Sequence, residues 1–325
     1  MTLNIQFENK LDNLRREIDD YLANLSLPEV PRGLYNPMKY ALSAHGKRIR
    51  PILVFLVGKG LGAEHSRLIP AALAVEILHT FTLVHDDIMD NDTYRRGVPT
   101  VHVKWGLNTA ILTGDGLMSL AFKTLMQTES PNVPQMGVEF SKAMLEICEG
   151  QSLDMEFEER DNVDSKEYLE MVGKKTGRLL GLSCQLGAMV ADSDKKVVDE
   201  MFFFGQELGK AFQIQDDLLE ITSDEQKMGK SLGTDIFAGK KTYPMIEAIS
   251  SMTDEEMKKF ISFLQGNANN RETILHEFQK RGCIEKSRNL INILLNRAKS
   301  RLRVLPEKAK KDLESLVEII SYRQS

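Results

Sequence analysis

The sequence has little of what secreted, membrane-spanning or disulfide-stabilised proteins need. Its three cysteines, Cys148, Cys184 and Cys283, lie far apart with no CxxC pair and do not form a disulfide framework. Residues 1–21 carry scattered charges and lack the apolar core of a signal peptide. The most apolar run, Pro51 to Gly58, is too short to span a bilayer. These absences predict a cytoplasmic protein with no transmembrane segment.

A large excess of charge is also missing. The 325 residues carry a formal net charge of −5, which gives no reason to expect nucleic acid or an anionic membrane surface as a partner. Basic residues do collect between positions 286 and 311. A nucleic-acid patch is the alternative there, but we interpret the segment as a solvated helix face. Any phosphate binding must therefore be local.

Strand signals are scarce as well. No segment sustains the alternation of apolar and polar residues typical of a strand, whereas apolar residues recur at helical spacing in nearly every window. No repeat of fixed period and no low-complexity linker divides the chain. The sequence therefore predicts an all-α protein in which residues 1–325 form a single domain, a large helical bundle.

What the chain does contain is acidic side chains on apolar helices. The segment from Ala71 to Val84 is almost wholly apolar. The polar residues in and after it share about a third of the helix circumference, and they are Glu76, His79, Asp86, Asp87 and Asp90. Asp86 and Asp90 stand one turn apart, so their carboxylates can hold a divalent cation. A helix running out into solvent, with Arg95 and Arg96 simply pairing with the acids, is the alternative.

A second acidic cluster favours the interpretation of the first as a cation-binding site. One face of another apolar helix, Phe202 to Ile221, carries Gln213, Asp216, Asp217 and Glu220 at positions i, i+3, i+4 and i+7. Two acidic faces in apolar surroundings are costly to bury, and divalent ions clamped between them would remove that cost. Because magnesium is commonly shared between carboxylates and phosphate oxygens, the two clusters predict a substrate that carries phosphate.

Basic residues that could hold phosphate accompany both clusters. Each group alone is weak evidence, because Lys-Gly turns are common on surfaces, and the GxxxxGK[ST] spacing of a P-loop is absent. The groups are Gly46 to Pro51, Arg95-Arg96-Gly97, Lys174-Lys175-Thr176, Gly229-Lys230-Ser231 and Gly239-Lys240-Lys241-Thr242. The third of these groups is expected to open another apolar helix.

In combination these residues resemble the trans-isoprenyl diphosphate synthase, or polyprenyl synthetase, family over nearly the whole chain. The matching motifs follow one another in the family's order. They are Gly46-Lys47-Arg48-Ile49-Arg50-Pro51, His79, Asp86-Asp87-Ile88-Met89-Asp90, Arg95-Arg96-Gly97, Gly114-Asp115, Gly150-Gln151, Lys175-Thr176, Gln213 to Glu220, and Gly239-Lys240-Lys241-Thr242-Tyr243-Pro244.

The resemblance implies a head-to-tail (1′-4) prenyl transfer. An allylic diphosphate would condense with isopentenyl diphosphate to give a short-chain all-trans prenyl diphosphate. About three magnesium ions would bridge the allylic diphosphate in each active site. Their carboxylate ligands would be Asp86, Asp90 and Asp216. Such ions stabilise the charge on the departing diphosphate while an allylic cation forms in a water-poor cavity.

Further residues match the family's two diphosphate pockets. Those implied for the allylic diphosphate are Arg95, Lys175, Lys230 and Lys240. Those implied for isopentenyl diphosphate, in a pocket that needs no metal, are Lys47, Arg50, His79 and Arg96. The implied catalytic set is Lys175, Thr176, Gln213 and Lys240, with Thr176 and Gln213 facing the reacting carbon. The released diphosphate would take the proton, so no protein base is expected, and a homodimer is usual in the family.

Product length is also read from the resemblance. Phe81 and Thr82 stand five and four residues before Asp86, a pattern that resembles synthases of the twenty-carbon geranylgeranyl product. A farnesyl product is the near rival, and ordinary core packing is the alternative for Phe81. One residue departs from the family, because Glu220 stands where a third aspartate is usual. We expect Glu220 to act outside the direct metal ligands and activity to survive.

Two other classes of protein share parts of this pattern. A terpene cyclase also carries a DDxxD motif in a helical bundle, but it needs no second diphosphate pocket, so Lys47, Arg50 and Arg96 argue against it. A non-catalytic regulatory subunit usually loses aspartates from one cluster, and both clusters are kept here. The sequence therefore favours an active, magnesium-dependent prenyltransferase.

Overall fold

The computed structural model describes residues 2–222, 240–267 and 270–321. Their helical content confirms the all-α prediction. The α-helices are α1 (Thr2–Ala23), α2 (Arg32–Leu42), α3 (Ile49–Gly60), α4 (His65–Met89), α5 (Val101–Trp105), α6 (Leu107–Leu125), α7 (Val133–Glu159), α8 (Ser165–Val172), α9 (Arg178–Val190), α10 (Lys195–Thr222), α11 (Tyr243–Ile249), α12 (Asp254–Gly266), α13 (Arg271–Lys280), α14 (Cys283–Arg301) and α15 (Glu307–Ser321). A π-helical segment, Gly173–Gly177, separates α8 from α9, and a 3₁₀ turn, Leu302–Val304, follows α14.

Helix α4 carries the first acidic cluster at its C-terminal end. It packs against α3 and α6, and its apolar residues are buried nearly all round from Leu68 to Val84, as expected of a helix inside a core. By length and composition alone α4 could cross a membrane, but 67% of its most apolar window is buried within the fold. That burial is typical of a core helix.

A short β-hairpin follows α4, and the sequence pattern did not predict it. Strands β1 (Tyr94–Arg95) and β2 (Val98–Pro99) pair antiparallel, in the one sheet found among the described residues. The two turn residues, Arg96 and Gly97, have φ angles of 53° and 79°, as a tight hairpin turn with two left-handed residues requires. Two-residue strands are too short to show alternation, which explains the missed prediction.

Contacts within the chain cluster into two compact units. The first comprises residues 1–142, 182–202 and 302–316, and the second comprises residues 143–181, 203–301 and 317–325. In the first unit α4 packs with α3 and α6, and α2 and α5 pack on α6; in the second, α11 and α13 pack on α14. Each unit combines three separate stretches of sequence, and the expectation of a single domain stays a prediction.

Candidate active site

The first acidic cluster lies at the C-terminal end of α4. Asp86 is half-buried and Asp90 is exposed; the Asp90 amide donates to the Asp86 carbonyl at 2.8 Å and closes the helix. Asp87, by contrast, is 4% exposed and pairs with the Arg95 guanidinium. Burial raises the pKa of Asp87 against the opposing effect of Arg95. The first and last aspartates are therefore the accessible ones.

The hairpin directs its two arginines to different places. Arg95 pairs with Asp87 and places its Nη2 atom 3.2 Å from Asp92 Oδ2. Arg96, in the turn, donates from Nη1 to the His45 carbonyl at 2.7 Å, at the loop before α3. The sequence assigned Arg95 and Arg96 to different diphosphates. The structure gives these neighbours different partners, and their substrate roles stay predictions.

Arg48 is structural, although it stands between two residues assigned to substrate. It begins α3 in the left-handed conformation with φ of 50°, and its side chain is 3% exposed. Its guanidinium bonds Glu76 at 2.5 Å, Asp19 at 2.7 Å and the Ala44 carbonyl at 2.9 Å. These hydrogen bonds and ion pairs offset the free-energy cost of burying the Arg48 charge. Glu76 therefore anchors the basic loop, a role that periodicity alone did not reveal.

Arg50 and His79 form the centre of a positive site. The Nε atom of Arg50 is buried and has no hydrogen-bond partner in the described structure. Burial, with Arg96 adding to it, lowers the pKa of Arg50 to about 10 against the opposing effect of Glu76 and Asp86. Burial, then the charges of Arg50 and Arg96, holds the pKa of His79 well below its usual range. An anion would relieve this excess of positive charge. Lys47 is exposed in the loop that precedes α3.

The second acidic cluster repeats the arrangement of the first. On α10, Asp216 is exposed, whereas Asp217 and Glu220 are each 8% exposed. The Asp217 carboxylate accepts hydrogen bonds from Tyr168 Oη at 2.5 Å and from the Tyr243 amide at 3.0 Å. Burial, and then Asp217, raises the pKa of Tyr168 well above its usual range. In both clusters the second aspartate is therefore buried and bonded to other residues of the protein.

Lys175 and Thr176 do not open a helix, which corrects the sequence prediction. The helix begins at Ser165, where Asp164 and Glu167 form a capping box, and Lys175 and Thr176 lie in the π-helical segment. Gly150 of α7 allows this segment to approach, because a β-carbon there would stand 2.4 Å from the Lys175 nitrogen. Segments of π-helix are rare and occur frequently at functional sites.

The structure brings several predicted residues together in one cleft of the second unit. Lys175 Nζ lies 2.5 Å from Asp154 Oδ2, and Thr176 Oγ1 donates to Gln213 Oε1 at 3.0 Å. The cleft is lined by Asp154, Tyr168, Met171, Val172, Lys175, Thr176, Gln213, Asp217, Lys240, Lys241 and Thr242. Asp154 and Tyr168 were missed; Asp154 lies one turn beyond the Gly150-Gln151 match, and Tyr168 carries no sequence signal. Lys230 lies outside the described residues.

The two chain-length candidates lie beside one another on α4. Phe81 is buried, and its ring packs edge-on against His85 with 4.9 Å between centroids. Thr82 is half-buried and donates to the His79 carbonyl at 2.9 Å. Gly114 leaves room for His85, since a β-carbon there would stand 2.0 Å from its Nε2 atom. Their effect on product length stays a prediction.

The acidic side chains fit a hard divalent cation. In the first unit Asp86 and Asp90 offer oxygen donors one helical turn apart, the donor type that magnesium prefers. In the second unit Asp216 offers a donor of the same type on α10. Within the described ranges, no three acidic, histidine or cysteine side chains converge as a closed metal site. Magnesium commonly completes its ligands with water and substrate phosphates, so a few carboxylates suffice.

Comparison with known proteins agrees with this chemistry. A family model described as Polyprenyl synthetase matches residues 31–280. The chain is 40% identical over 310 residues to a geranylgeranyl pyrophosphate synthase of Geoglobus acetivorans, with 94% of each chain covered. It is 36% identical over 329 residues to a geranylfarnesyl diphosphate synthase of Natronomonas pharaonis, with 95% of this chain and 96% of that relative covered.

Solved structures agree as well. A geranylgeranyl pyrophosphate synthetase from Pyrococcus horikoshii superposes with a TM-score of 0.86 at 34% identity, covering 98% of both chains. A polyprenyl synthase from Caulobacter crescentus, complexed with calcium and isoprenyl diphosphate, gives a TM-score of 0.86 at 25% identity, covering 99% of this chain and 98% of that one.

The all-α fold, with two acidic helix faces and a cation cluster beside the first, defines a prenyltransferase with the isoprenoid synthase fold. The chain belongs to the polyprenyl synthetase family. The sequence predictions of fold class and family are confirmed. Membership of this family also implies a divalent metal ion.

Proposed function

We infer that this protein condenses an allylic diphosphate with isopentenyl diphosphate and releases geranylgeranyl diphosphate. The names of relatives favour that product, since the Geoglobus acetivorans and Methanosarcina mazei proteins are geranylgeranyl synthases. The relative from Natronomonas pharaonis makes the longer geranylfarnesyl product according to its name. Farnesyl diphosphate remains the shorter alternative.

One observation carries the assignment to a two-substrate transferase. The buried Arg50 Nε atom has no hydrogen-bond partner in the described structure, and burial, then the charges of neighbouring arginines, lowers the pKa of His79. The pKa of Arg50 is lowered even though Glu76 and Asp86 oppose the change, which suits a second diphosphate that binds without metal. A terpene cyclase, which ionises a single diphosphate, has no use for such a pocket.

We assign the roles of the individual residues from the family resemblance. Asp86, Asp90 and Asp216 hold about three magnesium ions, which would supply charge stabilisation to the departing diphosphate. Lys47, Arg50, His79 and Arg96 hold isopentenyl diphosphate. The allylic diphosphate is held by Arg95, Lys175, Lys230 and Lys240. Thr176 and Gln213 stabilise the allylic cation beside Lys175 and Lys240, and no protein base is required.

We also propose a cytoplasmic homodimer. Helix α6 and the residue after it present exposed apolar side chains, which are Leu107, Ile111, Leu112, Phe122 and Met126. These side chains belong to the first unit, and a second copy of the chain would remove them from water. Light scattering of the protein and of its Leu112→Glu variant tests this, since the charge should shift the mass towards one chain.

The activity is tested by incubating the protein with labelled isopentenyl diphosphate, magnesium and each of three primers: dimethylallyl, geranyl and farnesyl diphosphate. Elongation to a twenty-carbon product supports the proposal. No condensation with any primer in excess magnesium would overturn it. Cyclised hydrocarbons, formed without isopentenyl diphosphate, would instead identify a cyclase.

Variants separate the metal ligands from other acids. Asp86→Asn and Asp216→Asn should each lower kcat by at least about 10²-fold. Asp199→Asn is the matched control, because Asp199 also lies on α10 but forms an exposed pair with Lys195 at 2.8 Å. Exposed pairs contribute little, so this variant should keep wild-type activity. Equal losses in all three variants would contradict the assignment.

A further inference from the structure

A directed chain of hydrogen bonds ends at Asp217. Thr176 Oγ1 donates to Gln213 Oε1 at 3.0 Å, and Gln213 Nε2 donates to Asp217 Oδ1 at 3.0 Å. The other carboxylate oxygen, Oδ2, accepts from Tyr168 Oη at 2.5 Å and from the Tyr243 amide at 3.0 Å. Both oxygens of Asp217 thus act as acceptors towards defined donors.

This arrangement sets the direction of every bond in the chain. Because a carboxylate oxygen can only accept here, Gln213 must turn its amide nitrogen towards Asp217. Its carbonyl oxygen then faces Thr176, and the Thr176 hydroxyl has to donate its hydrogen to it. The remaining lone pairs of Thr176 Oγ1 are left for the cleft that Thr176 and Gln213 line.

We propose that Asp217, held by Tyr168, is a positioning residue that sets the polarity of the Thr176 hydroxyl, so that an oxygen lone pair and not a hydrogen meets the allylic cation. The inference rests on the proposed function, in which that cation forms. It gives a role to Asp217, which is 8% exposed, beside the exposed Asp216. Oriented dipoles act most strongly where charge develops in a water-poor site.

The surroundings hold Asp217 in place. Tyr243, whose amide bonds Asp217, donates from its hydroxyl to Glu247 at 2.9 Å. Ser165 donates to the same carboxylate at 2.9 Å, and Lys286 pairs with it at 3.0 Å. The Tyr168 and Tyr243 rings pack with 5.7 Å between centroids. These contacts leave the Asp217 carboxylate little freedom to rotate.

The substitution Asp217→Asn should reverse the polarity without changing the shape. Tyr168 Oη and the Tyr243 amide need an acceptor, so the new carboxamide must place its oxygen towards them and its NH₂ group towards Gln213. Gln213 then flips and presents its own NH₂ group to Thr176. The Thr176 hydroxyl becomes the acceptor, and its hydrogen turns towards the cleft, where it opposes a developing cation.

A second substitution should restore the direction. In the double variant Asp217→Asn, Gln213→Glu, the new carboxylate at position 213 accepts hydrogen bonds from the new carboxamide at position 217 and from the Thr176 hydroxyl. Thr176 therefore donates to residue 213, as it does in the native protein. The summed charge of the two positions is unchanged. Gln213→Glu alone places two carboxylates against each other and should not be active, because like charges at hydrogen-bond distance repel.

The experiment compares steady-state kinetics of these variants in saturating magnesium. Asp217→Asn should lower kcat by about 10²-fold while the KM for either diphosphate changes by less than about threefold. The double variant should recover at least about 10-fold of that loss. In a Thr176→Val background, Asp217→Asn should cause no further loss, because the hydroxyl it acts through is gone.

Two tyrosines provide a matched control. Tyr168→Phe removes a hydroxyl that bonds Asp217, whereas Tyr243→Phe removes one that bonds Glu247 and keeps the amide donor to Asp217. Tyr168→Phe should therefore lose more kcat than Tyr243→Phe at similar thermal stability. If Asp217→Asn does not fold, this pair still tests whether Tyr168 holds Asp217, and equal losses of kcat in the two variants would contradict that part of the proposal.

Several outcomes would overturn the proposal: a double variant no better than Asp217→Asn, additive losses with Thr176→Val, or a loss of kcat that extra magnesium abolishes. The last would mean that Asp217 acts through the neighbouring metal ligand Asp216. An inactive wild-type enzyme would refute the proposed function itself. An active enzyme without rescue refutes only the role of Asp217.

Discussion

The guanidinium of Arg96 lies directly against the backbone of Gly46. A β-carbon at Gly46 would stand 2.7 Å from Arg96 Nη1 and 3.1 Å from its Cζ atom. The same Nη1 atom donates to the His45 carbonyl at 2.7 Å. The absence of a side chain at position 46 therefore lets the Arg96 guanidinium lie in this position against the loop before α3.

Gly46→Ala should consequently displace Arg96. We expect the KM for isopentenyl diphosphate to rise about 10-fold, the scale of a lost charge-assisted contact, with a smaller change for the allylic substrate. Initial rates at varied concentrations of each substrate measure this. Gly33→Ala is the control, because no atom lies within 4 Å of a β-carbon there. An unchanged KM in Gly46→Ala would separate Arg96 from substrate binding.

His79 should make stability depend on pH. Burial and the neighbouring arginines hold its pKa well below the usual range. As the pH falls below about 6.5, the unfolded chain takes up a proton that folded His79 does not. The contribution of neutral His79 is thus present above about pH 6.5 and is lost as the pH falls towards the folded pKa.

Urea unfolding of wild type and His79→Gln between pH 7.5 and pH 5 tests this. The free energy of unfolding of wild type should fall more steeply with decreasing pH than that of the variant. Relative to pH 7.5, wild type should therefore lose more stability at pH 5 than the variant does. His276→Gln, at an exposed position on α13, controls for loss of a histidine. Parallel curves for wild type and His79→Gln would contradict the prediction.

Phe81→Ala should lengthen the product if Phe81 forms the floor of the cavity. We expect the main product to gain at least one five-carbon unit, measured by sizing the dephosphorylated alcohols. The truncation should also cost about 3–5 kcal/mol of stability. Phe55→Ala is a matched control, because Phe55 is also buried and stacks on a histidine, His65, at 4.7 Å.

If both variants shift the product equally, general loosening of the core and not a specific floor is responsible. An unchanged length in Phe81→Ala would move the limit to another position, with Leu78 and Thr82 as the next residues to test. Leu78 is buried and Thr82 half-buried on the same helix. Ordinary core packing would then be the role of Phe81.

Glu220 should tolerate substitution better than Asp216. Glu220 is buried on α10, whereas Asp216 is exposed, which favours a supporting role for the glutamate. We expect Glu220→Gln to keep kcat within about 10-fold of wild type and Asp216→Asn to lose about 10²-fold or more. The magnesium concentration for half-maximal rate is the second readout. An equal increase in both variants would identify Glu220 as a direct ligand.

Helical periodicity predicted the elements that carry both acidic clusters. The apolar run around Ala71–Val84 and that around Phe202–Ile221 correspond to α4 and α10, because a helix that is apolar on most sides must be buried. The order of short motifs predicted the family, which the comparisons confirm. The substrate roles of individual residues follow from that resemblance and stay predictions.

Other features had no periodic signal. Lys175 and Thr176 lie in a π-helical segment that approaches Gly150 of α7 closely, and Gly150 is about 25 positions away in sequence. The β-hairpin is two residues long on each side, below the length at which alternation can be recognised. Tyr168 and Asp217 are 49 positions apart in sequence, so no local pattern predicts their hydrogen bond.

By itself, the sequence determined the fold class, the family and the two faces on which acids gather, because periodicity and motif spacing are local properties of a chain. Tertiary structure decided which acids remain accessible. Asp87 is buried and forms an ion pair with Arg95, and Asp217 is buried and accepts a hydrogen bond from Tyr168. Asp86 and Asp216 are not buried. That division depends on donors supplied by distant segments, since a buried carboxylate is stable only where such donors meet it.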